Sequence, residues 1–226
     1  VNLGLHPHTV SCYYVRRIES SPLVFAEYVA GGSLQDWIGD RKLYTGGSAT
    51  SLKRILDIAI QFAWGLHYAH EQGLIHQDVK PANVMLTPQC AVKVTDFGLA
   101  NAKAMAARQG EGDGGHHTLV VAGSGAMTPA YCSPEQANGE TLTRRTDLWS
   151  WALSVLEMFQ GGRSWQFGTV AASALENYLE TGTEDPPLPQ MPGSIAQLLR
   201  CCFRRNPNER PHTIWEVAQE LQEIYE

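Results

Sequence analysis

Apolar residues recur at helical spacing through much of this chain. Between Ser51 and Gln72 they fall every three or four positions, which predicts an amphipathic helix that Gly73 ends. The stretch from Thr143 to Phe159 is strongly apolar, and this predicts a helix buried within a core. Three more helical patterns follow near 169–180, 194–203 and 213–224. At the start of the last one, Thr213 and Glu216 have the spacing of a capping box.

Shorter apolar runs predict strands. Thr9 to Val15 and Leu23 to Val29 are strand-like, with a polar turn at Arg16 to Pro22 between them. Farther along, Val84 to Leu86 and Ala91 to Val94 flank a four-residue turn that contains a proline. These two short runs predict a β-hairpin with a polar loop before it and an acidic turn after it.

Composition narrows the class of protein. The 226 residues carry a net charge of −6 without a block of Lys or Arg, which disfavours binding to nucleic acid or to anionic membranes. Five cysteines, an odd number without C-x-x-C spacing, indicate a reducing, cytoplasmic setting without disulfides or a zinc site. Charged and polar residues interrupt the longest apolar stretch, so we expect no membrane span. The first residue is Val1, and we expect the chain to be a piece of a longer protein.

The predicted hairpin gathers four polar side chains at one of its ends: Asp78, Lys80, Asn83 and Asp96. Two carboxylates and an amide oxygen suit divalent cations beside a polyphosphate, and an ammonium adds positive charge. One of the carboxylates could then orient a hydroxyl. This combination indicates phosphoryl transfer.

At these positions the sequence resembles eukaryotic-type (Hanks-type) serine/threonine protein kinases. HQDVKPAN, from His76 to Asn83, resembles the catalytic loop of that family, and Asp96-Phe97-Gly98 resembles its metal-binding turn. The resemblance implies an α+β fold with a mostly helical C-terminal lobe and the last strands of the N-terminal lobe. Residues 1–29 would be the end of the small lobe and the hinge, and 30–226 the large lobe.

The resemblance also implies roles for the four polar residues. Asp96 would ligate Mg²⁺ at the ATP phosphates, and Asn83 would ligate a second ion. Asp78 would orient the attacking hydroxyl, and Lys80 would neutralise the transferred phosphoryl group. A lysine at this spacing is typical of kinases that act on serine and threonine. ATP and Mg²⁺ are therefore the implied cofactors, and a protein hydroxyl is the implied substrate.

Nucleotide contacts follow from the same resemblance. Backbone groups of Glu27 and Val29 would bind adenine, and Ser33 and Met85 would line the site. Ala26 falls at the position that controls the rear of the ATP pocket, where a small side chain would leave that pocket open. A buried strand alanine without any role in selectivity is the alternative.

Three further residues would hold the substrate side together by resemblance. Thr128 opens the stretch TPAYCSPE and would contact Asp78 and Lys80. Glu135, at the end of this stretch, would form a buried pair with Arg210. Asp147 would accept backbone N–H bonds from the catalytic loop and hold its shape. In the same stretch, Cys132 is expected to be a small residue without special reactivity.

The family pattern is broken in two places. Gln77 replaces an arginine, which removes the cation that a phosphorylated loop would pair with, so we expect no dependence on loop phosphorylation. A Gly-rich loop, a strand lysine and its partner glutamate are absent from these 226 residues. Lost electrostatic contacts of this kind cost about 10²-fold in rate, and this segment alone is expected to be nearly inactive.

Two other functions remain open at this point. A kinase-like small-molecule phosphotransferase would share the aspartates and the asparagine, whereas a catalytically silent module would use the large lobe to dock a partner. His67 and His70 lie three apart on a predicted helix but lack the H-E-x-x-H arrangement and a third ligand. We therefore expect packing or surface roles for them.

Overall fold

A computed structural model describes residues 4–18, 21–97, 128–182 and 185–225. Helices and two small antiparallel sheets occupy separate parts of the chain, which confirms the α+β class. The strands are β1 Cys12–Ile18, β2 Ser21–Ala26, β3 Val84–Leu86 and β4 Val92–Val94. The helices are α1 Leu34–Gly39, α2 Ser48–Glu71, α3 Pro134–Ala137, α4 Arg144–Gln160, α5 Ala171–Thr181, α6 Gly193–Cys202 and α7 Ile214–Tyr225.

Helix α4 forms the centre of the predicted large lobe. Every residue from Thr146 to Phe159 is buried, as the apolar stretch predicted. Thr143 caps its start, and Gly161 ends it at a φ of 72°, a left-handed conformation that glycine adopts without strain. Helix α2 crosses it, and the indole N–H of Trp151 donates to the Ala59 carbonyl at 3.2 Å. Two long helices thus share one apolar core.

The β3–β4 hairpin lies on α2 and positions the predicted catalytic loop before it. Its register pairs Val84 with Val94, and both side chains are buried. A preceding segment extends this sheet, since the N–H of Val10 donates to Val94 and the N–H of Val94 donates to His8, both at 2.9 Å. The hairpin predicted from the sequence is confirmed.

The first two strands differ from their prediction. They run from Cys12 to Ile18 and from Ser21 to Ala26, closer to the connection between them than the pattern indicated. Thr9 and Val10 have strand-like side chains, but their backbone pairs with Val94 of β4 instead. The β1–β2 ladder therefore begins at Cys12, opposite Ala26.

No helix in the described ranges is long and apolar enough to cross a membrane. All five cysteines lie in those ranges, and none of them forms a disulfide there.

Gly65 allows the N-terminal segment to approach α2 closely. A Cβ built on Gly65 would lie 2.4 Å from the His8 carbonyl oxygen, which is bonded to β4. We expect Gly65→Ala to lower the free energy of unfolding by about 1–3 kcal/mol, since the backbone must shift. The measurement is urea unfolding of both variants below and of the unsubstituted protein.

Gly39→Ala is the matched control. Nothing lies within 4 Å of a Cβ at Gly39, so alanine should leave stability unchanged or raise it by up to about 1 kcal/mol. Equal losses in the two variants would contradict the close approach at Gly65.

Candidate active site

The predicted catalytic loop, from His76 to Asn83, is held in shape by one buried carboxylate. Asp147, in the first turn of α4, accepts the N–H of His76 at Oδ2 and the N–H of Gln77 at Oδ1, both at 2.8 Å. Gln77 has a left-handed backbone with a φ of 69°, which is unfavourable for a residue with a side chain. The two hydrogen bonds stabilise this turn, and they are the contacts predicted for Asp147.

His70 adds a third contact that sequence reasoning missed. Its Nε2 lies 2.7 Å from Asp147 Oδ2, and both side chains are buried. The only signal in the sequence was that His70 occupies a helical position that faces the loop. Because 77 residues separate His70 from Asp147, no local pattern could pair them. Where the chain is described, no three His, Cys, Asp or Glu side chains converge as a metal site. His70 therefore supports the loop through Asp147.

Asp78, Lys80 and Thr128 form one hydrogen-bonded cluster. Lys80 Nζ lies 2.6 Å from both Asp78 Oδ2 and the Thr128 hydroxyl oxygen. The Thr128 hydroxyl donates to Asp78 Oδ1 at 2.8 Å. The predicted contacts of Thr128 are present. Although the Lys80 and Asp78 side chains are only 20% and 9% exposed, the cluster retains access to solvent.

Asn83 and Asp96 are linked to this cluster through the backbone. The Asn83 amide donates to the Asp78 carbonyl at 2.8 Å, which leaves its Oδ1 as the atom suited to a cation. The Asn83 carbonyl accepts the N–H of Thr95, whose own carbonyl lies 2.9 Å from His76 Nε2. Asp96 follows directly, exposed and left-handed at a φ of 65°. These hydrogen bonds join the predicted catalytic loop to the end of β4. Asn83 and Asp96, the predicted oxygen ligands, lie at this junction.

Glu135 and Arg210 form a bidentate ion pair. The two guanidinium nitrogens of Arg210 lie 2.7 and 2.8 Å from the carboxylate oxygens, and both side chains are buried. Arg210 also donates to the carbonyl of Arg145 at 2.9 Å, and the Thr146 hydroxyl donates to Glu135. The end of the 128–135 stretch is thereby attached to the start of α4. This is the pair predicted from the sequence.

A sequence model of the family described as protein tyrosine and serine/threonine kinase matches residues 2–221. The chain belongs to this family. The arrangement of catalytic loop, hairpin and helical lobe described above is the kinase-like fold expected from the resemblance. Residues 98–127, which include Gly98 of the metal-binding turn, lie outside the described ranges.

Curated relatives carry kinase names. A probable serine/threonine-protein kinase of Clostridium acetobutylicum is 29% identical over 202 residues, covering 89% of this chain and 28% of the relative. Serine/threonine-protein kinase PknB of Mycolicibacterium smegmatis is 32% identical over 231 residues, covering 98% and 34%. PknB of Mycobacterium tuberculosis is 30% identical over 227 residues, covering 97% and 34%. This chain therefore spans about a third of the length of these relatives.

The residues predicted to form the hinge are Glu27 to Val29, and their nucleotide contacts stay predictions. The N–H of Glu27 donates to the Ser11 carbonyl at 2.9 Å, so only its carbonyl remains available for adenine. Val29 is buried directly after it. Ala26 is exposed at the end of a two-stranded sheet, because no layer of the described chain covers it. The role of Ala26 in selectivity therefore stays a prediction.

Ser33 and Met85 lie next to each other across a β-bridge. The Ser33 hydroxyl donates to Asp36 Oδ2 at 2.7 Å and accepts the Asp36 N–H, which forms a capping box for α1. Ser33 therefore caps α1, whatever its predicted contact with the nucleotide. Met85 is half-buried on β3, and its predicted contact with the nucleotide stays a prediction.

The substrate stretch of the kinase domain has a second anchor that the sequence did not reveal. The Tyr131 hydroxyl donates to Glu157 Oε2 at 2.5 Å inside the lobe. Ser150 donates to the Tyr131 carbonyl at 2.7 Å, and the Trp165 indole donates to Ala130 at 2.8 Å. Because these partners lie at unrelated positions in sequence, no spacing rule could find them. Burial raises the pKa of both Tyr131 and Glu157.

Cys132, next in this stretch, is buried. Burial raises the pKa of its thiol to about 11, so the reactive thiolate is scarce at neutral pH. This agrees with the expectation of a small residue without special reactivity.

The raised pKa of Glu157 predicts a pH dependence of stability. A carboxyl whose pKa lies above its ordinary 4.5 in the folded state binds more protons there than in the unfolded state. The free energy of unfolding therefore falls as pH rises from 4.5 through the folded pKa. Glu157→Gln keeps an acceptor for Tyr131 without this titration, so its stability should fall less over the same window. Urea unfolding at stepped pH measures both.

The exposed Glu223→Gln serves as the control and should follow the unsubstituted protein. Parallel pH profiles for Glu157→Gln and the unsubstituted protein would contradict a raised pKa.

Proposed function

We propose that this chain is the catalytic part of a serine/threonine protein kinase that transfers the γ-phosphoryl group of Mg-ATP to Ser or Thr hydroxyls of a protein. The observation that carries the proposal is the cluster of Asp78, Lys80 and Thr128, in which a carboxylate, an ammonium and a threonine hydroxyl are mutually bonded. Membership of the kinase family and the names of the relatives support it.

In this mechanism Asp78 orients the attacking hydroxyl of the substrate and accepts its proton. Lys80 lies within hydrogen-bond distance of Asp78, where its positive charge can stabilise the transferred phosphoryl group. Neither residue forms a covalent bond. Alignment and charge neutralisation supply the rate enhancement.

Asn83 and Asp96 would hold the divalent cation, for which we propose Mg²⁺. The fit rests on Asn83 Oδ1, whose amide nitrogen is already engaged, and on the exposed carboxylate of Asp96. When bound, the cation would neutralise phosphate charge. Backbone groups of Glu27 and Val29, with Ala26, Ser33 and Met85 around them, would bind the adenosine part.

The division of the chain is part of the proposal. Residues 1–29 would be the end of the small lobe and the hinge, and 30–226 the large lobe. A cytoplasmic location of the domain is proposed with it. A protein substrate is favoured over a small molecule, because Thr128 and the Glu135–Arg210 pair hold a defined substrate stretch beside Asp78.

Asp96→Asn tests the catalytic proposal. The substitution removes the charge that would hold the cation, so phosphoryl transfer should fall by about 10²-fold or more. The measurement is transfer of labelled phosphate from ATP to serine- and threonine-containing proteins by the full natural protein. Asp40→Asn, on the exposed surface beside Lys42, is the matched control and should keep full activity. Equal activity of the Asp96 and Asp40 variants would refute the assignment.

A second test concerns regulation. Gln77 cannot pair with a phosphate as an arginine would, so we propose that activity needs no phosphorylation at Thr118 or Ser124, which lie outside the described ranges. Alanine at either position should keep turnover within about threefold. Thr128→Ala should lower turnover further, since Thr128 contacts Asp78 and Lys80. Losses at Thr118 and Ser124 as large as at Thr128 would exclude this form of regulation.

A further inference from the structure

Two arginines at the start of α4 converge on one histidine just before α7. Arg144 Nη2 lies 2.6 Å from His212 Nε2, and Arg145 Nη2 lies 2.9 Å from His212 Nδ1. The other terminal nitrogen of Arg145 donates to Asn208 Oδ1 at 2.9 Å. Both nitrogens of a single imidazole therefore face guanidinium groups.

This arrangement contains more donors than acceptors. A guanidinium only donates hydrogen bonds, and an imidazole offers at most one acceptor nitrogen. In at least one of the two contacts to His212, an N–H of the arginine therefore points at an N–H of the ring, and no hydrogen bond can form. In addition, Nε of Arg145 is buried and has no partner within the described part of the chain. An acceptor with several oxygens is the group that would satisfy these donors.

The charges of the two arginines are also uncompensated. Arg41, Arg200 and Arg210 each form an ion pair with a carboxylate. Among the described residues no carboxylate pairs with Arg144 or Arg145. The nearby Glu216 is used in another way, because it accepts the N–H of His212 at 3.0 Å and the Thr213 hydroxyl at 3.1 Å. Other described arginines, such as Arg54 and Arg204, also lack a carboxylate partner, but Arg144 and Arg145 differ from them because both face one histidine.

We propose that Arg144, Arg145 and His212 form a binding site for a phosphate group, separate from the nucleotide site. A tetrahedral oxyanion between the guanidiniums would accept from both arginines and from an N–H of His212, which removes the excess of donors. The site lies at the N-terminal end of α4, a 17-residue helix whose dipole adds positive potential there.

The site is in direct contact with the ion pair that anchors the substrate stretch, because Arg145 belongs to the site and also bonds to Arg210. The carbonyl of Arg145 accepts from Arg210, which in turn holds Glu135. A bound phosphate would stiffen the start of α4, where both contacts are made. The phosphate group comes either from the free ion or from a phosphorylated serine or threonine of a protein segment, and the recognition chemistry is the same for both.

The test is a calorimetric titration of the full natural protein with inorganic phosphate in a chloride buffer. Arg144→Gln should weaken phosphate binding about tenfold, since a charge-assisted bond is lost. Arg200→Gln removes one guanidinium from the exposed surface elsewhere and should leave the affinity unchanged. Arg144→Lys should give an intermediate affinity, because it keeps the charge but not the planar fork. Equal unfolding temperatures of the variants show that each is folded.

Lys80→Ala separates this site from the catalytic cluster. If Lys80→Ala abolishes phosphate binding while Arg144→Gln leaves it unchanged, the phosphate binds at the catalytic cluster and the proposal is overturned. Absence of binding, or equal loss in Arg144→Gln and Arg200→Gln, overturns it as well. A neutral peptide with one phosphoserine, compared with its unphosphorylated form, identifies the source. Binding of the peptide that is tighter than that of inorganic phosphate and sensitive to Arg144→Gln assigns it to a protein segment.

Discussion

The organisation of this domain depends on the buried carboxylate of Asp147. A buried carboxylate without partners is costly, and here it is satisfied by two backbone N–H groups of the catalytic loop and by His70. The same hydrogen bonds hold the loop in a turn that includes Gln77, whose backbone is left-handed. The positions of Asp78 and Asn83 follow from this turn, because both lie within a few residues of it and are bonded to one another.

The same helix that carries Asp147 also holds the substrate stretch. Ser150 and Glu157 contact Tyr131, and Thr146 contacts Glu135. Catalytic loop and substrate stretch are therefore attached to one rigid, fully buried helix, which keeps Asp78 and Thr128 within hydrogen-bond distance although 50 residues separate them. Residues with preset positions need little rearrangement when charge develops in a transition state. The cluster of Arg144, Arg145 and His212 lies at the start of this helix, next to the carbonyl that joins α4 to Arg210.

Local pattern was sufficient for the helices α2, α4, α5, α6 and α7 and for the β3–β4 hairpin, because apolar periodicity and turn residues act over a few positions. It was less reliable for β1 and β2: the bounds of β1 shifted by about three residues at each end, and those of β2 by about two and three. There the backbone of Thr9 and Val10 had a competing partner in Val94, more than 80 positions away in sequence. A packing or surface role was expected for His70, but its contact with Asp147 was not foreseen.

By itself the sequence determined the family and the α+β class, and it predicted the roles of Asp78, Lys80, Asn83 and Asp96, because their short motifs act through local backbone geometry. The contacts of Asp147, Thr128 and the Glu135–Arg210 pair followed from resemblance, and the structure supplied their distances. Only the tertiary structure decided that Tyr131 meets Glu157 and that two arginines meet on His212. Such contacts join helices and loops far apart in the chain, and which side chains meet depends on how those elements pack.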